Sequence, residues 1–444
     1  MSSIFADGFK DTPYWWEAAH PITGDDAFPT ESPTQIPAEN NVIIIGSGFA
    51  GLSAAMELGR QGVAVTVIDA KIIGIGASSR AAGFISGRAG VSKQINLEKM
   101  VGESHATAIL EEADEAYQHF QRIIAREEID CDFNGNGRFV GAYTPQSYEA
   151  IARKAEEYNR DGQNRFFMVS RQDQDTYVKS DYFHGGMVTR DAGSLHPAKY
   201  HAGLVKTCLR YGVKLIGNTR ATKINKTHAG FTVTTNRGNI KADQVLLATG
   251  GYTDRVSPWH RKRIIPMSST IIATEPIGKA RVDAMLPFGC AVIDTRRVIR
   301  FARPSPDGTR LLFGGRARFT PIDAKKSVRI LHGYMREMFP DMADVSITHS
   351  WAGFMAFTFD FLPKIGRHDD IHYAMACNGG AGVVMMSWLG FQAARNIMQT
   401  TNQPSAFEGL PFKTMPLYSG IPWFVPVIGT WYRFRDWYDL RRSA

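Results

Sequence analysis

The chain has 444 residues, 44% of them hydrophobic and 21% charged, and a formal net charge of +8. This composition excludes a disordered or fibrous chain and gives enough length for two connected lobes. The four cysteines (Cys131, Cys208, Cys290, Cys377) lie far apart without a CxxC pair, which excludes a zinc site and a disulfide framework and suits a reducing compartment.

Residues 1–40, rich in proline, aromatic and acidic side chains, predict an ordered but irregular arm over the body. The run Val42 to Ile45 predicts one buried strand, and it leads directly into Gly46-Ser47-Gly48-Phe49-Ala50-Gly51. A helical pattern with Leu52, Ala55 and Leu58 on one face follows, then a second strand ending at Asp69. This is a βαβ unit with a dinucleotide fingerprint. Gly46 permits the tight turn, Gly48 leaves room for a pyrophosphate, and Gly51 allows close packing of helix on strand. The helix N-terminus offers unpaired N–H groups to phosphate. Asp69, 18 residues beyond Gly51, stands where a carboxylate accepts ribose hydroxyls and repels a 2′-phosphate, so FAD or NAD is favoured over NADP.

A Gly/Ala/Ser-rich loop, "GIGASSRAAGFISG", comes next. Helices are predicted over Lys99 to Glu128 and Ser147 to Asp161, then a helix running into a strand from His196, with His196 itself at the helix start. A hairpin and a buried strand follow up to Ala248, and residues 264–318 alternate as in an antiparallel sheet covered on one face. Two more glycine turns stand after strands, at Thr249-Gly250-Gly251 and Asn378-Gly379-Gly380-Ala381-Gly382, the last opening a helix. A simple NAD dehydrogenase needs one such turn. Three point to a flavin, whose reduced pyrimidine end is anionic and suits a helix N-terminus.

These motifs, with "RFARPSPDGTRLLFGGRA", "WAGFMAFTFDFLPKIG" and "CNGGAGVVMMSWLG", resemble the glycine/D-amino-acid oxidase superfamily of FAD enzymes over nearly the whole chain. Within it, the chain is most similar to amine oxidoreductases of the γ-glutamylputrescine oxidoreductase type. The resemblance implies an α/β fold: a Rossmann-like FAD domain of glutathione-reductase type with an antiparallel substrate domain, as in D-amino-acid oxidase and p-hydroxybenzoate hydroxylase. The FAD domain is expected over 41–90, 195–255 and 365–402, the substrate domain over 91–194 and 256–364, and a proline/aromatic tail over 403–444.

Carried over residue by residue, Gly46, Gly48, Phe49, Ala50, Gly51, Asp69, Ala70 and Lys71 are expected at the ADP half of the cofactor. Gly76, Ala77, Ser78, Arg80, Ala81, Ala82 and Gly83 match the loop along the pyrophosphate and flavin edge. Ala221 stands at the adenine, Thr249 and Gly250 at the second flavin motif, and Gly379, Gly380, Ala381, Gly382 and Val383 at the flavin-facing turn. Some relatives attach FAD through a histidine where Arg80 stands, others through a cysteine where Gly353 and Phe354 stand, so noncovalent FAD is expected.

The implied reaction is oxidation of a C–N bond in a small amine or amino acid. Hydride passes to flavin N5, and the imine hydrolyses to an aldehyde or keto product and an amine or ammonia. Oxygen or another electron acceptor then takes the electrons. Arg316 is expected over the flavin face, Arg303 on a substrate carboxylate, and Asp360 orienting backbone near the flavin. Tyr252 and Trp351 are expected as walls of an amine pocket, and no metal is expected. His20, His260 and His349 have no partner that the sequence names. An RNA-modifying or partner-dependent flavoprotein of the same fold is the alternative. Lys and Arg are scattered, with no basic and aromatic stripe for nucleic acid. Lacking a leader pattern and any apolar run of about 18 residues, the protein is expected in the cytoplasm. Its proline-interrupted tail, six of whose residues are Trp or Tyr, is expected to pack on the substrate lobe, form a dimer contact or touch a membrane surface, without forming one long helix.

Overall fold

The strand Glu39–Ile45 is buried on both faces: Val42 and Ile44 enter one core, Ile43 and Ile45 another. That double burial is what a central strand with parallel neighbours requires. A computed structural model of the chain describes residues 4–21, 39–91, 96–316, 318, 322–376, 381–401 and 403–443. In it, Glu39–Ile45 runs parallel to Val65–Ile68 on one side and to Gly238–Leu247 on the other, and Lys214–Ile216 extends the sheet beyond Val65–Ile68. The hairpin strands Gly230–Thr235 and Ala221–Thr227 continue from the first half of Gly238–Leu247, while Ile371–Met375 pairs with its end.

Helices Phe49–Arg60 and Gly382–Met398 cover one face of this sheet. They cross where a Cβ on Gly390 would lie 2.1 Å from the Ala50 carbonyl oxygen, so only glycine permits the approach. The helix Glu103–Arg126, with Ile109, Ala113, Ala116 and Phe120 in the same core, packs on Gly382–Met398. This corrects the expected boundary, because part of 91–194 belongs to the nucleotide lobe. The single helix expected over Lys99 to Glu128 is two, Leu97–Val101 and Glu103–Arg126, since Gly102 sits at φ +86° between them. Helix Pro145–Tyr158 starts on a Thr144/Ser147 capping box and ends in a short 3-10 turn at Asn159–Asp161.

Among the described residues the second sheet has nine strands. Ile265–Thr274 lies antiparallel to both Ile347–Phe357 and Leu311–Gly315, and the order continues through Arg300–Pro304, Ala291–Asp294, Arg138–Gly141, Gly186–Thr189 and Phe166–Val169. In its described part, residues 4–21, the arm is less irregular than expected; residues 1–3 and 22–38 lie outside the described residues. Phe5–Lys10 adds a parallel edge strand to Ile347–Phe357, and Trp15 is fully buried.

The tail also departs from expectation. Val425–Ser443 is one helix of 19 residues. Pro422 precedes it and Pro426 falls in its first turn, where a missing N–H costs no helical hydrogen bond.

Candidate FAD and substrate site

The two sheets enclose a cavity of about 740 Å³, toward the upper end of the range for small-molecule sites. At one end, Asp69 Oδ2 accepts hydrogen bonds from the backbone N–H and the hydroxyl of Ser47, at 3.0 and 2.7 Å. Asp69 Oδ1 accepts the Lys71 N–H at 3.1 Å. The acid at the second strand tip is thus tied across to the first glycine turn. Gly51 is as tight as its motif requires, since a Cβ there would lie 1.9 Å from the Gly46 carbonyl oxygen. Gly46, at φ +110°, also abuts Ala248, which brings the first and second glycine turns together. His201 braces the same turn from below. Its Nε2 lies 2.7 Å from Ser47 O, so that nitrogen carries the proton, and burial lowers the ring's pKa.

The Gly/Ala/Ser loop runs along the cavity floor. Ser78 Oγ accepts the N–H of Phe49 at 3.0 Å, fixing the loop to the helix start. Arg80 Nε donates to Ile75 O at 2.8 Å and Nη1 to Ala352 O at 3.3 Å, and its guanidinium lies 4.5 Å from the Trp16 ring. Gly76, Ala77, Ala81, Ala82 and Gly83 line the cavity beside them, as do Ala50, Ala70, Ala221, Thr249 and Gly250. Gly382 and Val383 line it from the start of helix Gly382–Met398, with Ala381 as its N-cap. Gly379 and Gly380 lie outside the described residues.

The roof is a row of apolar side chains, among them Ile271, Ile293 and Phe301 from the second sheet and Ile299 just before the strand Arg300–Pro304. Tyr252 lines the cavity and packs edge-on to Phe354 at 5.6 Å. Arg316 lines it as expected, 7% exposed, with Nη1 donating to Arg297 O at 3.3 Å. Burial pushes its pKa down to about 10, which leaves it charged at neutral pH.

Three expected residues lie elsewhere. Arg303 is not on the cavity wall: Nη1 donates to Ala82 O at 2.9 Å and Leu195 O at 2.8 Å, and Nε to Pro304 O at 3.2 Å. It clamps the loop from behind, its guanidinium 5.3 Å from the ring of Trp15, whose Nε1 donates to Ala81 O at 2.9 Å. Trp351 is shut out by the same loop. It is 2% exposed, donates from Nε1 to Arg80 O at 2.9 Å and packs on Trp15. Asp360 is buried away from the cavity, with Oδ2 2.6 Å from Lys364 Nζ and Oδ1 accepting the Leu362 N–H. A carboxylate so engaged orders its own turn and has no proton-transfer role in the cavity. Among the histidines, His196 caps helix Pro197–Arg210, His260 Nδ1 lies 2.7 Å from Ser257 Oγ, and His349 Nε2 lies 3.2 Å from Glu17.

One residue was missed. Arg138 lines the cavity at 3% exposure, no carboxylate pairs with it among the described residues, and its Nε has no hydrogen-bond partner there. Burial pushes its pKa down to about 10, so it too stays cationic at neutral pH. The only signal was an arginine inside a short, otherwise apolar strand, Arg138–Gly141. Among the described residues, five cations (Lys71, Arg80, Arg138, Arg220, Arg316) line the cavity against two carboxylates, Asp69 and Asp254, and Asp254 is paired with Arg220.

A glycine cradle, a carboxylate at the second strand tip and a helix N-terminus, under an antiparallel roof, define a dinucleotide-dependent oxidoreductase of the two-lobed flavoenzyme class. The chain belongs to the DAO family, FAD dependent oxidoreductases, whose profile matches residues 41–395. It is 30% identical to a probable oxidoreductase OrdL of Haemophilus influenzae over 90% of this chain and 92% of that protein. It is 27% identical to the gamma-glutamylputrescine oxidoreductase of Escherichia coli, over 85% of this chain and 88% of that one. Among crystal structures, glycine oxidase from Geobacillus kaustophilus shares the fold with a TM-score of 0.70 at 19% identity, covering 85% of this chain and 99% of that chain. L-proline dehydrogenase from P. horikoshii does so at 0.67 and 18%, covering 84% and 96%.

The residues fit the family's FAD. A Cβ added at Gly76, Gly250 or Gly382 would meet nothing within 4 Å, so each glycine opens onto space a ligand can fill, and the surplus of cations matches a diphosphate.

Proposed function

We propose that this protein oxidises the C–N bond of a small amine or amino acid that carries an anionic group, using noncovalent FAD. Arg138 carries this reading: a buried guanidinium without a counter-charge is costly, and an anionic substrate group entering the cavity offsets that cost. Bound FAD would supply the two-electron acceptor for the substrate's hydride.

The chain's own residues supply position and environment. The apolar roof would keep the reacting carbon dry, and among the described residues it offers no general base, so in this reading the amine arrives neutral. Arg316 adds a fixed positive charge to the cavity wall, which would favour the negative charge that bound FAD gains on reduction. The resulting imine hydrolyses with water to a carbonyl compound and an amine or ammonia. Noncovalent attachment is supported by the wall itself. Among the described residues no cysteine lines the cavity, and its one histidine, His201, is held by Ser47. The names of the relatives above, a gamma-glutamylputrescine oxidoreductase and a glycine oxidase, agree with an amine or amino-acid substrate.

The test is anaerobic titration of the purified yellow protein with γ-glutamylputrescine, polyamines, N-methyl amino acids and D- and L-amino acids, following loss of the visible flavin band. Bleaching by amines that bear a carboxylate, and far weaker bleaching by uncharged or purely cationic ones, is expected. Recolouring in air would identify oxygen as acceptor. A protein that no amine bleaches overturns the reading.

A further inference from the structure

The tail helix Val425–Ser443 has two different sides. Val425, Gly429 and Asp436, at helical spacing, are buried against the body, and Asp436 accepts hydrogen bonds from the backbone N–H groups of Arg297 and Val298. On the opposite side the same spacing lines up Val427, Trp431, Phe434 and Tyr438, which are 69%, 53%, 49% and 46% exposed. Trp437 flanks them at 48%, and the rings form a ladder with Phe434 5.7 Å from Trp431 and 5.8 Å from Trp437. The preceding turn adds Leu417, Ile421 and Trp423, at 90%, 62% and 55%. An exposed apolar patch of this extent marks a docking surface.

Charge identifies what docks there. Both carboxylates of the helix, Asp436 and Asp439, are drawn to Arg297, which leaves none on the outward stripe. Arg441 and Arg442 are exposed at its end, with Arg441 4.4 Å from the Trp437 ring. Tryptophan and tyrosine rings beside outward guanidiniums match the headgroup region of an anionic bilayer: the rings settle at the acyl boundary and the guanidiniums meet phosphate. A second copy of this chain would bring the same arginines and no acid to meet them.

We propose that this helix and the turn before it dock the protein flat on the surface of an anionic lipid bilayer. No helix among the described residues is long and apolar enough to cross one. The inward-facing Tyr432 packs against the cluster that holds Phe357, whose ring lies 5.3 Å from the Arg316 guanidinium, so the docked helix lies beside the cavity wall. The proposal is independent of the substrate reading above.

The test is flotation of the full-chain holoprotein with vesicles of phosphatidylcholine alone and of phosphatidylcholine mixed with phosphatidylglycerol, with light scattering of the protein without lipid. Flotation with the mixed vesicles, weakened by salt, is expected. Trp431→Ser with Phe434→Ser, both on the outward side, should weaken binding about tenfold or more while leaving flavin content and melting temperature unchanged. Arg441→Gln with Arg442→Gln should abolish the preference for anionic over neutral vesicles. The proposal is overturned if the wild-type protein does not float with mixed vesicles, or if the serine variant floats as well as wild type. It is also overturned if light scattering shows a dimer that Phe434→Ser dissociates, which would assign the stripe to a second copy.

Discussion

Ser47 and Asp69 are joined twice: the backbone N–H and the hydroxyl of the serine both donate to one carboxylate oxygen of the aspartate. The two strand tips of the βαβ unit are thereby fixed at one spacing, with the rest of the carboxylate left at the cavity edge.

Asp69→Ala removes both this tie and the acceptor proposed for the ribose. Loss of a charge-assisted hydrogen bond costs about 1.5–3 kcal/mol, so FAD affinity should fall about ten- to a hundredfold. Fluorescence titration of apoprotein with FAD measures it. Unchanged affinity would remove Asp69 from the cofactor site.

Arg138→Met separates substrate binding from stability. The ligand-free variant should melt at or above the wild-type temperature, because an unpaired buried charge has been replaced by an apolar chain. KM for a carboxylate-bearing amine should rise about ten- to a hundredfold, from loss of a charge-assisted contact worth roughly 1.5–3 kcal/mol. KM for uncharged amines should stay the same, and Arg138→Lys should restore part of the loss.

Arg303 and Asp360 are expected to fail as catalytic residues in a measurable way. Asp360→Ala leaves the Lys364 ammonium buried and unpaired, at a cost of about 3–5 kcal/mol, yet kcat per bound flavin should be nearly unchanged. Arg303→Met releases the loop carbonyls of Ala82 and Leu195, so flavin retention should drop while substrate KM holds. A large fall in kcat per flavin in either variant would return that residue to the chemistry.

Acid should destabilise the fold over a defined window. Burial depresses His196, His119 and His372 to about 4, and His260 to about 3, against about 6.5 in the unfolded chain. Between those values the unfolded chain binds more protons than the folded one, so stability is fully present above pH 6.5 and is lost as pH falls toward 4. His196→Asn keeps a helix cap and removes one titrating group. Its melting temperature should therefore fall less steeply with acid than that of wild type.

What could be read in the sequence was short-range. The glycine turn, its flanking strands and Asp69 lie within one stretch of about thirty residues, and their spacing alone dictates a tight turn, a close helix and an acid at the strand tip. The hairpin Gly230–Leu247 and the capped helix after His196 were legible for the same reason. The break at Gly102 and the tail helix were not. A glycine inside a helical pattern is often tolerated, and two prolines near a helix start look like two interruptions until the start is known.

By itself the sequence determined the two-lobed flavoenzyme fold and the glycine turns that line the cavity, because those depend on neighbours along the chain. Only the tertiary structure decided which distant side chains reach the cavity. Trp15, brought by the N-terminal arm, and the loop Arg80–Gly83 fill the space in front of Arg303 and Trp351. Strand parity turns Phe139 into the core and Arg138 into the cavity. Where both faces of a strand are buried, hydrophobic pattern carries no record of which face meets a ligand.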